Sequence, residues 1–223
     1  MHNVVERLIA IQSEIKELLK KNSIENINPC IVIVCKTFSI DKILPLIESG
    51  HVHFGENKVQ EAELKWREVK KSHPNVKLHM VGKLQSNKTK AALEIFDYIH
   101  SVDNYKLAAK IVKYEKALNK KIKIFVQVNI GEETQKSGIS PKDTNEFINY
   151  CRDVLSLNII GLMCLPPINQ DTEKYFLHLS KLGKQADLSN LSMGMSDNYQ
   201  NAIKCGSTFL RIGSKILGER NTN

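Results

Sequence analysis

Lys36 closes a run of apolar residues, Ile31-Val32-Ile33-Val34-Cys35, of which four of the five are β-branched. Such a run reads as a short strand buried on both faces. An ammonium at its end is costly to bury unless it is paired or loses its charge. Desolvation lowers a lysine pKa from about 10.4. A neutral amine in a semi-enclosed pocket is a nucleophile for carbonyl compounds, and the product is a Schiff base. The alternative is that Lys36 has reached the rim and extends its head group to water.

Two further stretches have residue types suited to an anion. Ser192-Met193-Gly194-Met195-Ser196-Asp197 sets a glycine and two hydroxyls between a strand and a helix start, and Arg211-Ile212-Gly213-Ser214 repeats the arrangement later. Glycine lets backbone N–H groups approach an anion, and a helix N-terminus adds a favourable dipole.

The elements that must position these residues follow from periodicity. Val4, Val5, Leu8, Ile11, Ile15, Leu18 and Leu19 recur at three- and four-residue spacing, so a helix over 1–21 is expected to pack on the main body. Strands are expected at 31–37, 51–54, 77–82, 98–103, 122–129, 159–163, 191–193 and 208–211. Helices are expected between them at 40–47 (Ser39 as N-cap), 59–69, 84–95, 105–118, 142–155, 172–185 and 198–204. Regular alternation implies parallel strands with right-handed crossovers, and eight strands favour a closed (β/α)₈ TIM-type barrel over an open sheet. One barrel domain over 1–223 is the expected organisation.

In such barrels functional groups gather at the carboxyl ends of the strands. Those ends carry Lys36, Glu56, Asn57, Gln85, Asn87, Ser101, Asp103, Asn129, Met163, Ser196, Asp197, Arg211, Gly213 and Ser214. Asp103, Asn87 and Asp197 are read mainly as helix caps. Strands seven and eight commonly frame a phosphate site, and closure places them beside strand one. An amine and an anion cradle then face each other, and a compact aldehyde phosphate such as pyridoxal phosphate would bridge them.

Composition narrows the classes. Lysines and arginines exceed acids by 32 to 24, a net charge of +8, but aromatics are only 6% and no arginine-rich block occurs, so direct nucleic-acid binding is not expected. No apolar run has membrane-spanning length, and the start lacks a signal-peptide pattern. The five scattered cysteines form no C-x-x-C pair, which points to reduced thiols in a cytoplasm and to no metal site.

Seven stretches in order then carry a resemblance. They are Val34-Cys35-Lys36-Thr37, Phe54-Gly55-Glu56-Asn57-Lys58-Val59-Gln60-Glu61, His79 to Lys88, His100-Ser101-Val102-Asp103, Gly161-Leu162-Met163, Leu191 to Asp197, and Arg211-Ile212-Gly213-Ser214. The chain resembles the pyridoxal phosphate homeostasis proteins, also called proline synthase co-transcribed homologues, from the strand before Lys36 to Arg220. Their barrel is similar to the N-terminal domain of alanine racemase.

The resemblance implies pyridoxal 5'-phosphate linked through Lys36. It also implies a phosphate held by Ser196 with the backbone of Gly213 and Ser214, Arg211 facing the pyridine nitrogen, and Asn57 near the ring. Cys35 stands where the family usually has serine, Lys58 replaces a common tyrosine, and Ser214 replaces a usual threonine.

An arginine at the pyridine nitrogen weakens the ring as an electron sink. The chain closes soon after Arg211, at Arg220-Asn221-Thr222-Asn223. A second domain carrying an opposing base is therefore expected to be missing. The implied role is intracellular buffering or delivery of the cofactor, with no catalytic residues, PLP-requiring apoenzymes as recipients, and a monomeric state. The rivals are a low-activity amino-acid racemase using the same cofactor and a Schiff-base aldolase acting on a phosphorylated sugar.

Overall fold

The structure, a computed structural model, describes residues 3–168 and 170–219. Positions 1 and 2 of the expected first helix, and Arg220 at the end of the resemblance, lie outside the described residues.

Eight parallel strands form a closed barrel in sequence order. They are β1 (Cys30–Val34), β2 (His53–Glu56), β3 (Lys77–Met80), β4 (Tyr98–Val102), β5 (Lys123–Val128), β6 (Ile159–Cys164), β7 (Asn190–Met195) and β8 (Phe209–Ile212). The first pairs with the last: Ile31 lies opposite Leu210 and Ile33 opposite Ile212. This closure sets Lys36 beside the loop after β8.

Helices α1 (Asn3–Lys21), α2 (Ile40–Glu48), α3 (Val59–Ser72), α4 (Thr89–Ile95), α5 (Tyr105–Leu118), α6 (Thr144–Asn149), α7 (Glu173–Gln185), α8 (Tyr199–Lys204) and α9 (Ser214–Leu217) cover the outside. The apolar stripe of α1, Val4, Leu8, Ile11 and Ile15, is buried and packs toward α2, α8 and α9. Glu14, at the edge of that stripe, accepts hydrogen bonds from Tyr199 (2.5 Å) and Gln200 on α8.

Strand residues divide by parity. On β1, Ile31 and Ile33 join the large core between sheet and helices, whereas Val32 and Val34 meet Val81 inside the barrel. Tyr98, Phe125 and Met163 fill another part of the interior, so the barrel is packed rather than a pore.

Several boundaries differ from the sequence reading. The helix expected over 84–95 is a 3-10 turn at Ser86–Lys88 followed by α4, because Gln85 keeps an extended backbone and the Thr89 hydroxyl donates to Ser86 O at 2.9 Å. The helix expected over 142–155 breaks into a 3-10 turn, α6 and a π turn at Tyr150–Val154. There the wider turn bonds Leu155 N to Tyr150 O at 3.2 Å, with Cys151 buried.

Ser39 sits at the N-cap of α2 but makes no side-chain cap bond. The caps expected at Asp103 and Asp197 fall one residue later. Asn104 accepts from Leu107 N at the start of α5, and Asn198 is the N-cap of α8. Asn87 lies within the 3-10 turn. Among the described residues no helix is long and apolar enough to cross a membrane, and no group of three metal-ligating side chains converges.

Candidate functional site

The strand that delivers Lys36 ends two residues before it. Cys35 N still donates to Gly55 O at 2.8 Å, and the chain then turns, with Phe38 N donating to Cys35 O at 2.8 Å. Lys36 itself has φ +32°, in the left-handed region that costs a non-glycine residue free energy. It is therefore a turn residue rather than the strand residue expected from the apolar run. Parity still governs direction: Cys35 is fully buried in the helix-facing core, and Lys36 lines a cavity inside the barrel rim.

Glu56, expected at the polar rim, points outward instead. Its Oε1 accepts from Trp66 Nε1 and from Lys65 Nζ, each at 2.8 Å, beneath α3. Burial raises its pKa, and the bond from Lys65 counters this in part.

The opposite wall comes from β7 and β8. Gly194 has φ +92°, and a side chain there would meet Ala202 Cβ at 2.6 Å, so glycine is required for the chain to turn into α8. Beyond it Ser196 is buried, and Gly213 N donates to Ser196 Oγ at 3.4 Å. Ser214 follows on the same rim. Only one of the two hydroxyls expected in the β7 loop belongs to this cradle. Ser192 lies deeper, as the acceptor of a 2.6 Å bond from Arg211 Nη1.

Arg211 is buried, and its Nη2 donates to Cys164 O at 2.8 Å. Burial lowers its pKa to about 10, which leaves it a cation at neutral pH. Behind Ser192 stand His100, His79 and His53, linked in series inside the barrel. The sequence reading did not find this line. Its signal was three histidines at inward positions of three successive strands.

Lys36, Asn57, Ser196, Arg211, Gly213 and Ser214 all line one cavity of about 340 Å³. Gly82 brings Asn57 there by close approach: a Cβ on Gly82 would lie 2.3 Å from Asn57 O. A second hollow of about 320 Å³ adjoins it and shares Asn57, Val81 and Leu165. Gln85, Asn87, Ser101, Asp103 and Met163 line neither hollow. Asn129 braces the loop after β5 by bonds to the backbone of Glu133.

Residues 8–221 match the family of the alanine racemase N-terminal domain. A pyridoxal phosphate homeostasis protein of Haemophilus influenzae is 32% identical over 229 residues, covering 98% of this chain and 97% of that protein. One of Vibrio cholerae is 33% identical over 230 residues, covering 99% and 98%.

The chain belongs to the pyridoxal phosphate homeostasis protein family.

The solved structure of PipY from Synechococcus elongatus with PLP bound superposes with a TM-score of 0.81 at 30% identity, covering 96% of this chain and all (100%) of that one. An alanine racemase of Clostridium difficile shares the fold at 14% identity with a TM-score of 0.72. This chain covers 58% of that longer protein.

Proposed function

We propose that this protein binds pyridoxal 5'-phosphate in the cavity at the carboxyl ends of the strands, holds it as a Schiff base on Lys36, and serves intracellular PLP homeostasis without turnover of its own. One observation carries the reading: an amine, a cradle of hydroxyl and backbone N–H groups, and a buried guanidinium all face one hollow of about 340 Å³. That volume suits a compact ligand. The PLP bound to PipY supports the choice of ligand.

The residues divide the work. Ser196 Oγ and the N–H groups of Gly213 and Ser214 take the phosphate, as donors to a dianion. Arg211 faces the pyridine nitrogen, and Asn57 lines the side of the ring. Lys36 Nζ is the amine that would condense with the cofactor's aldehyde, its two amine protons leaving with the carbonyl oxygen as water. The bound cofactor supplies an aldehyde for amines and an electron-withdrawing ring.

Arg211 argues against turnover. A cation held against the ring nitrogen disfavours its protonation and so weakens electron withdrawal. Among the described residues, the other ionisable side chains lining the cavity are Lys36 and Asp197, with no tyrosine or histidine to act as an opposing base. The rim residues Met195, Asp197 and Ser214 are exposed, which favours exchange of cofactor with PLP-requiring apoenzymes. The exposed large apolar side chains, including Leu64, Val154 and Ile168, are scattered over separate elements, in keeping with a monomer. The five unpaired cysteines suit a cytoplasmic setting.

The test is the absorbance spectrum of purified protein after incubation with PLP, before and after borohydride reduction, with peptide mapping. A yellow protein that bleaches on reduction and gains mass at Lys36 is expected. A colourless protein with no adduct overturns the proposal, and steady racemisation of an amino acid by the loaded protein overturns its non-catalytic part.

A further inference from the structure

Three histidines, a serine and Arg211 form one line of hydrogen bonds through the barrel. His53 Nδ1 lies 2.9 Å from His79 Nε2, and His79 Nδ1 lies 2.9 Å from His100 Nε2. His100 Nδ1 lies 2.8 Å from Ser192 Oγ, the oxygen that accepts from Arg211 Nη1 at 2.6 Å. His79, His100, Ser192 and Arg211 are buried, and His53, the first residue of β2, is half-buried. The line therefore runs from the amino end of the strands to the floor of the cavity.

Its polarity follows from one obligate donor. A guanidinium only donates, so Ser192 Oγ accepts from Arg211. A serine oxygen can accept a second bond, but its buried O–H then needs an acceptor. His100 Nδ1 at 2.8 Å supplies one, so the O–H points to His100 Nδ1. His100 must then carry its proton on Nε2 and donate to His79 Nδ1. By the same logic His79 donates from Nε2 to His53 Nδ1, and His53 keeps its proton on Nε2. The rings are also fixed by stacking: His79 lies 4.1 Å from Tyr98 between centroids, and His100 lies 4.3 Å from Phe125.

We propose that His53, His79, His100 and Ser192 form a positioning relay that holds the Arg211 guanidinium under the cavity and ties its charge to the tautomer of a histidine at the opposite end of the barrel. The proposed function enters only in naming what Arg211 faces.

Burial and the surrounding cations keep the line neutral. His53 is faced by Lys123 from β5 and Lys77 from β3, which lower its pKa, and by Asp97 from the turn before β4, which acts the other way. His79 feels His100, His53, His51 and Lys123, and His100 feels Arg211. Burial is the largest influence on all three and acts in the same direction as the cations. A proton added at His53 Nδ1 would reverse each tautomer in turn, bring a second N–H onto Ser192 Oγ, and leave the serine O–H without its acceptor. The site thus resists protonation as one unit.

The test is imidazole nitrogen NMR on the ligand-free protein. The expected result is the Nε2–H tautomer at His53, His79 and His100, and a shift of His53 toward mixed tautomers in Ser192→Ala that Ser192→Thr restores. A serine with a purely local packing role would not move a ring three hydrogen bonds away. An Nδ1–H tautomer at His100 in the unmutated protein overturns the relay, a readout that needs no variant to fold. An unchanged His53 in folded Ser192→Ala overturns it too. Both readouts use the ligand-free protein, so failure here is separate from failure of PLP to bind.

Discussion

The Lys65 ammonium lies 2.5 Å from the carbonyl oxygen of Lys36. The same ammonium is ion-paired to Glu56 Oε1, so a carboxylate buried under α3 is wired to the backbone of the turn that aims the cavity's amine. The turn needs such a brace because Lys36 holds a left-handed φ that lysine rarely adopts.

Replacing Lys65 with Met removes the brace and leaves Glu56 buried with Trp66 Nε1 as its remaining side-chain partner. Breaking a buried pair from one side costs on the order of 3 kcal/mol. The penalty should depend on pH. Burial raises the Glu56 pKa in the fold, so its contribution to stability is fullest below the unfolded value and is lost as pH rises through the folded value. Lys65→Met raises the folded value further. Urea unfolding should therefore show a penalty that grows from about pH 4 to about pH 7, and a pH-independent penalty would contradict the pairing.

Lys36→Ala removes the amine proposed to form the Schiff base but leaves Ser196, Gly213, Ser214 and Arg211 in place. PLP should still bind reversibly, measured by dialysis or calorimetry, while borohydride fixes no mass on the protein. Covalent attachment at another lysine with undiminished affinity would move the proposed linkage away from Lys36.

Ser196→Ala acts on the other wall. The hydroxyl is buried and accepts a bond from Gly213 N, so its loss removes one proposed donor to the phosphate and also loosens the turn. A charge-assisted hydrogen bond contributes about 1–2 kcal/mol, so PLP affinity should fall by roughly 5- to 30-fold. Attachment through Lys36 should persist at saturating PLP. Unchanged affinity would show that the phosphate lies elsewhere.

What was legible in the sequence were features with a local physical signature. The barrel follows from strand-sized apolar runs alternating with amphipathic ones, and closure then sets Lys36 opposite Gly213 without further information. The six cavity residues were readable because each stands at a strand's carboxyl end. Less legible was whatever depends on direction across the sheet. Glu56 and Asn57 are adjacent in sequence, yet the first is buried under α3 and the second lines the cavity. Ser192 and Ser196 share one loop motif, but Ser192 bonds Arg211 from below. The histidine line was missed because its members are some twenty residues or more apart, and only the register of neighbouring strands brings them together.

Gly82→Ala tests the close approach that places Asn57. A methyl there would overlap the Asn57 backbone oxygen, which no side-chain rotation can relieve. Overpacking of this kind costs about 1–3 kcal/mol. The variant should lose stability in thermal or urea unfolding and also weaken PLP binding by shifting Asn57. A stable variant with normal affinity would show that the β2 and β3 ends are free to separate.

Acid should destabilise this protein earlier than its carboxylates alone dictate. Burial holds His79 and His100 well below the usual imidazole pKa, and lowers His53 and His51, the last to about 4. In the unfolded chain these groups titrate near about 6.5. Below that pH the unfolded state binds protons that the folded state refuses, so stability is full above the unfolded value and falls as pH drops. Each fully buried histidine contributes a slope of up to about 1.4 kcal/mol per pH unit, and the half-exposed His53 contributes less because solvent screens it. Glu56 acts in the opposite direction, since its raised pKa favours the fold at lower pH. Unfolding free energies measured from about pH 7 to about pH 5 should therefore fall with a slope near two protons, and His79→Gln should reduce that slope by about one. A flat profile over this range would mean that the buried histidines are already charged in the fold, which the hydrogen-bond line to Arg211 does not permit.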